Sequence, residues 1–306
     1  MKKIGIIGVG KIGSQLAFDV LKDDFVSEIH ISRRNQNGLN VLLQSLQIAA
    51  FQSKKNVLIK EIDYHNLDSL DLIIISAKDT YDPRIILSQN NFPDGFPKNL
   101  RYCGFFQDIH ELKKITIKLS NYKGIIAVIT NPVEMMTKFV SENVKTEYVF
   151  GLGASLDSSR VAFLLNQKYG INVSSNEIML FGEHGNQMNV KTNLLPIDIE
   201  NFINNDIITK SNNIGFDFVK KIGYTLFDCI YSFTNDVKWL LNVNGQYKFR
   251  SFSYPKSGLI ISQPIFYDEK KHYKIFNDYS KKEMDIITEL NGKMSILYEQ
   301  LKESVK

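Results

Sequence analysis

The stretch KKIGIIGVGKIGSQLAFDVL, residues 2–21, decides the fold. Ile4, Ile6 and Ile7 make a short apolar run, and Leu16, Ala17, Val20 and Leu21 recur at helical spacing. Between them stand Gly8, Gly10 and Gly13, in a G-x-G-x-x-G pattern that also holds Lys11 and Ile12. Each glycine has a task. One makes the tight turn out of the strand, the next lets a pyrophosphate approach the backbone, and the third lets helix and strand pack closely. The helix start then offers N–H groups and the positive end of its dipole to phosphate oxygens. Strand, turn and helix around the glycines predict a dinucleotide site.

Working outward, the first half keeps alternating. EIHIS (28–32) reads as a second strand and LNVLLQSLQIAAF (39–51) as a helix. NVLIKEI (56–62), LDLIIISA (70–77) and GIIAVIT (124–130) are further strands, with a helix over 106–119. Continuous apolar strands between helices predict a parallel sheet covered on both faces. Residues 78–104, with three of the chain's seven prolines, read as a long functional loop. After residue 148 the pattern changes. A helix at 155–170, a strand at 177–181, helical sequence over 212–241, strand-like pieces at 246–267 and a closing amphipathic helix at 280–301 predict a second domain. The expected architecture is α/β: an N-terminal Rossmann, doubly wound parallel sheet over 1–148, then an α+β catalytic domain over 149–306.

Composition narrows the function. The chain has 306 residues, 43% hydrophobic and 23% charged, as a globular protein does. Its net charge of +4 comes from scattered basic residues, which argues against nucleic acid as a partner. No apolar run reaches the roughly 18–20 residues of a membrane span. The N-terminal apolar run is short, broken by glycines and lacks a cleavage-like site, so it reads as a strand and not a signal peptide. Cys103 and Cys229 are too few for a disulfide framework, and cytoplasmic localisation is expected.

The second strand ends in Ser32-Arg33-Arg34 instead of the acidic side chain that accepts hydrogen bonds from a ribose 2′-OH. An arginine fork pairs well with a 2′-phosphate, so NADP(H) is favoured over NAD(H). Farther along, FGEHGN (181–186) places His184 between glycines at the end of an apolar run. Asp157 and Arg160 are three apart on a predicted helix and share a face. An aspartate fixes the tautomer of a histidine and stabilises its protonated form. An arginine beside it grips a carboxylate through two parallel bonds.

IGIIGVGKIG (4–13), ITNPVEM (129–135), GLGASLDSSR (151–160), FGEHGN and GYT (223–225) together resemble the lactate/malate dehydrogenase family. The likeness is greatest to its L-2-hydroxyisocaproate dehydrogenase branch and covers roughly residues 1–230. It implies an oxidoreductase transferring a hydride between a nicotinamide cofactor and a 2-keto or L-2-hydroxy acid. In that scheme His184 is the acid/base, Asp157 orients it and Arg160 binds the substrate carboxylate. Asn131 serves both nicotinamide and substrate, Thr225 lines the substrate pocket and Ala77 approaches the cofactor. Arg101 polarises the carbonyl from a mobile loop, with Arg84 as its rival. No metal is implied, and the resemblance implies a homotetramer or homodimer.

The chain departs from that pattern at Lys78, Asn186 and Ile222, and in the length of the loop before Arg101. In NFPDGFPKNLR (91–101) only Lys98 is cationic before Arg101, whereas the resemblance implies an extra loop arginine for the second carboxylate in malate enzymes. A bulky, apolar, monocarboxylic 2-keto acid is therefore expected over oxaloacetate. The departures also motivate a rival reading, a catalytically silent NADP(H)-binding sensor or interaction protein. A related NAD-dependent glycoside hydrolase would need a metal held by cysteine and histidine, and neither cysteine lies in such a cluster.

Overall fold

The computed structural model describes residues 1–79, 100–191, 194–195, 199, 202–203, 205–222, 227–243, 249–268 and 272–304. The chain forms two compact units: one of residues 1–150 with 296–306, the other of residues 151–295.

In the first unit the strands are β1 (Lys2–Ile7), β2 (Val26–Ser32), β3 (Leu58–Glu61), β4 (Leu72–Ile75), β5 (Ile125–Val128) and β6 (Val149–Gly151). They lie in the order β3-β2-β1-β4-β5-β6, and the pairings from β3 to β5 are all parallel. This is the strand order of a doubly wound nucleotide-binding sheet, as the alternation predicts. Ile4, Ile6, Leu72, Ile73, Ile74 and Ala127 are wholly buried, as strands covered on both faces require. The helices are α1 (Lys11–Leu21), α2 (Gln36–Gln52), α3 (Leu100–Leu119) and α4 (Val133–Asn143). Asn35 caps α2, its side chain accepting from the Gly38 N–H at 3.1 Å.

The expected loop over 78–104 gives way at Leu100, where α3 already begins. Tyr102, Phe105, Ile109 and Leu112 are buried at helical spacing, so packing carries the helix back to residue 100. Arg101 therefore stands in the first turn of a helix, although its side chain lies outside the described residues. Arg84 lies outside them altogether.

The second unit holds α5 (Ala154–Tyr169), β7 (Leu180–Glu183), β8 (Gln187–Val190), α6 (Asn205–Ile222), α7 (Phe227–Leu240), β9 (Phe249–Ser253), β10 (Ser262–Tyr267) and β11 (Tyr273–Ile275). The closing helix α8 (Lys281–Ser304) starts here, and its residues from Ile296 belong to the first unit. Strands β9, β10, β7 and β8 pair antiparallel in that order, with β11 also on β10. One face of α5 packs Val161 and Leu165 with Ile178, Leu180 and Met188 of the hairpin region. Antiparallel strands with helices give the expected α+β half.

Two details differ from the sequence reading. The strand expected over 177–181 begins at Leu180, because Ser174 and Glu177 form a capping box around a 3-10 turn at Ser175–Glu177. The helical run over 212–241 is two helices, α6 and α7, with residues 223–226 outside the described set.

Candidate active site

His184 follows β7 and opens the turn into β8, where Glu183 and Gln187 form the last pair of the ladder. Gly185 takes a φ of +64° and Gly182 a φ of +126°, both in the region that side chains avoid. A Cβ on Gly182 would also run into the Gln187 carbonyl, so the hairpin cannot close around a larger residue. Together the two glycines fix the turn that holds His184. The Asn186 side chain donates to Glu183 Oε2 at 2.7 Å and ties the turn across itself.

Asp157 comes from the first turn of α5 and is wholly buried. Its Oδ2 lies 2.7 Å from His184 Nδ1 and accepts the Gly185 N–H at 3.0 Å. Burial pushes this carboxyl up, but the attraction of His184, its ring hydrogen bond and nearby Arg160 outweigh it and hold the group below the usual carboxylate range. An ionised Asp157 accepts, so Nδ1 carries the hydrogen and Nε2 is the ring atom that would exchange a proton. Arg160, one turn on, is 5% exposed, with Nη1 3.7 Å from Asp157 Oδ1. Histidine, aspartate and arginine are thus brought together in the second unit, as the motifs predict.

One further residue supports them. An added Cβ at Gly153 would meet His184 Cγ at 2.6 Å, so the imidazole rests against bare backbone at the entry to α5. Gly153→Ala is expected to displace the ring and lower kcat at least about tenfold, since acid–base chemistry depends on hydrogen-bond reach. Steady-state kinetics beside a melting curve checks this; an unchanged kcat in a folded variant would count against the placement of His184.

Arg160 also has a partner that sequence reading missed. Its Nε and Nη2 donate to Asp228 Oδ2 at 3.1 and 2.9 Å. Asp228 opens α7, 68 positions from Arg160. The only local hint was an acid three residues after the threonine of GYT. Thr225 itself lies outside the described residues.

In the first unit the expected cofactor residues fall at the carboxyl ends of their strands, where doubly wound sheets bind ligands. Gly8, with a φ of +89°, follows β1, and a Cβ there would collide with the Ala77 backbone just past β4. At Gly13 the same atom would sit 2.8 Å from the Gly8 carbonyl, which is the close packing of helix on strand. At Gly10 it would meet nothing within 4 Å. That open side, beside the first turn of α1 with Lys11 and Ile12, fits a pyrophosphate. Thr130 Oγ1 donates to the Ala77 carbonyl at 2.8 Å, joining the ends of β4 and β5 just before Asn131.

After β2, Ser32 Oγ lies 2.9 Å from Tyr64 Oη. Arg34 donates to Asp79 Oδ1 at 2.8 Å and has Glu111 at 3.9 Å. Arg33 is exposed, its guanidinium lying over Gly38 in the first turn of α2.

The Asp79 N–H donates in turn to Asp108, buried in α3. Burial pushes the Asp108 carboxyl up to about 7, although that backbone bond favours its charged form. The fold thus holds a proton that the unfolded chain releases near pH 4. The contribution of Asp108 to stability is fully favourable below that point and falls as pH rises to about 7. Asp108→Asn keeps an acceptor for Asp79 and removes the titration. Its stability gain over wild type should open between pH 4 and 7 and level off at about 2 kcal/mol or more. Denaturant melts across that range check it, and a pH-independent difference would contradict it.

Residues 3–65 match the family described as "NADP oxidoreductase coenzyme F420-dependent". Over 276 residues the chain is 24% identical to L-lactate dehydrogenase of Staphylococcus epidermidis, covering 81% of this chain and 83% of that one. With L-lactate dehydrogenase 2 of Staphylococcus aureus it shares 28% identity over 192 residues, 60% of this chain and 54% of the relative's length. The solved malate dehydrogenase of Archaeoglobus fulgidus, in complex with NADH, superposes with a TM-score of 0.78 at 22% identity, covering 99% of this chain and 100% of that one. Sequence and fold alike set the chain beside the lactate/malate dehydrogenases.

Proposed function

We propose, from that relationship, that the chain is a nicotinamide-dependent L-2-hydroxyacid dehydrogenase acting on a bulky, apolar, monocarboxylic 2-keto acid. The observation that carries this reading is the short bond between His184 and a buried, ionised Asp157, with a buried arginine one turn along the same helix. When bound, the cofactor supplies or accepts the hydride. His184, as the imidazolium that ionised Asp157 stabilises, gives its Nε2 proton to the keto oxygen as the carbonyl carbon is reduced, leaving a neutral imidazole whose Nδ1–H stays on Asp157. In the reverse direction the same nitrogen takes the hydroxyl proton. Arg160 binds the substrate carboxylate, and Asn131, Thr225 and Arg101 keep the roles the resemblance assigns.

NADP(H) is proposed over NAD(H). The end of β2 bears no acid, and Arg33 and Arg34 are both exposed there, Arg34 with a bond to Asp79. A homotetramer or homodimer and a cytoplasmic location are also proposed; among the described residues no helix is long and apolar enough to cross a membrane. One observation favours a second reading, a silent dinucleotide binder: Arg160 already holds a carboxylate of its own chain. A spectrophotometric assay pairing NADH and NADPH with 2-ketoisocaproate, pyruvate and oxaloacetate decides. Turnover of a monocarboxylic keto acid supports the dehydrogenase, and the ratio of cofactors judges Arg33. NADPH binding without turnover on a wide panel supports the silent binder.

A further inference from the structure

Asp228 is built into its place. Its Oδ1 accepts the Cys229 N–H at 2.9 Å, while Oδ2 takes both donors from Arg160. The guanidinium is confined around this contact. A Cβ on Gly215 would meet Nη1 at 2.5 Å, so that side is walled by backbone. Asp157 Oδ1, beyond hydrogen-bond distance of Nη1, finds no hydrogen-bond partner among the described residues. The Nε–Nη2 edge, the pair of donors best suited to a carboxylate, is the edge that Asp228 fills.

We propose that Asp228 is a resident competitor for the substrate carboxylate and a determinant of specificity: the 2-keto acid reaches Arg160 by displacing it. This rests on the dehydrogenase reading above. The two partners differ in their freedom to move. The Arg160 side chain is 5% exposed and that of Asp228 30%, so the aspartate is the group that returns to water at low cost. Because it competes from within the chain, its effect scales the apparent affinity by the fraction of molecules whose arginine is open. A charge-assisted pair of this kind leaves about one molecule in ten to one in a hundred open, weakening apparent binding by that factor.

Displacement leaves Asp228 beside the bound substrate, so a second substrate carboxylate meets a like charge. The device therefore selects monocarboxylic over dicarboxylic keto acids.

The test is calorimetric titration of the cofactor-saturated protein with 2-ketoisocaproate and with 2-ketoglutarate. Wild type is compared with Asp228→Asn, with Asp228→Ser in case the first variant folds poorly, and with Arg160→Gln in each background. The expected result is binding of 2-ketoisocaproate at least about tenfold tighter without the aspartate, lost again when Arg160 is also replaced. The relative affinity for the dicarboxylate should rise as well. Equal or weaker binding in both Asp228 variants overturns the proposal, as does no binding in either, or a gain that survives Arg160→Gln. Turnover is scored separately. If wild type turns over no keto acid, the dehydrogenase reading falls, while the binding comparison still judges Asp228.

Discussion

His184→Asn is expected to lower kcat for keto-acid reduction about a thousandfold while leaving dinucleotide affinity within about twofold. The first part follows from removing the group that moves the proton. The second follows from the part of the chain involved: His184 bonds to Asp157 in the second unit, whereas the glycine loop belongs to the first. Asparagine is the informative replacement because its amide nitrogen can still donate to Asp157 Oδ2. The buried carboxylate is then not stranded, and the loss is one of chemistry and not of folding. Stopped-flow and steady-state rates beside cofactor titration would check it. A variant within tenfold of wild type would remove His184 from the reaction.

Gly8→Ala should cost about 3 kcal/mol of stability and abolish cofactor binding. The φ of +89° strains any side chain, and the new Cβ would strike the backbone of Ala77. Backbone does not rotate aside as a flexible side chain does, and Ala77 is further fixed by the bond from Thr130. The melting point should fall by about 6–12 °C. Gly10→Ala supplies the contrast. Its Cβ enters open space and strikes no backbone, so the fold should keep more of its stability than in Gly8→Ala while affinity for the dinucleotide falls. Thermal melts and NADPH titrations of both variants separate the two roles. Full affinity in Gly10→Ala would move the pyrophosphate elsewhere.

What was legible in the sequence was local. Gly8, Gly10 and Gly13 announce their spacing, and Asp157 and Arg160 share a helical face whatever the rest of the chain does. His184 was marked by glycines whose positive φ values the hairpin requires. Where contacts are distant the sequence falls silent. Asp228 reads as an ordinary acid in a helix until folding carries it 68 positions back to Arg160. Strand β8 escaped notice because QMNV (187–190) is short and half polar, and it becomes a strand by pairing with β7. The early start of α3 was hidden for the opposite reason. Prolines and glycine before it mark a loop, and only packing shows how far back the helix extends.

The return of α8 to the first unit has a consequence for synthesis. Tyr298 and Leu301 are buried there: the Tyr298 ring meets Phe105 edge-on, its hydroxyl lies 2.8 Å from Glu142 Oε2, and Lys302 reaches the same carboxylate at 2.7 Å. A nascent chain that has cleared the ribosome through β6 therefore has every strand of the nucleotide-binding sheet and still lacks a piece of its core. Until residue 301 emerges, the gap beside Phe105 is open, and the sheet waits for the turns of α8 from Ile296 onward to be completed.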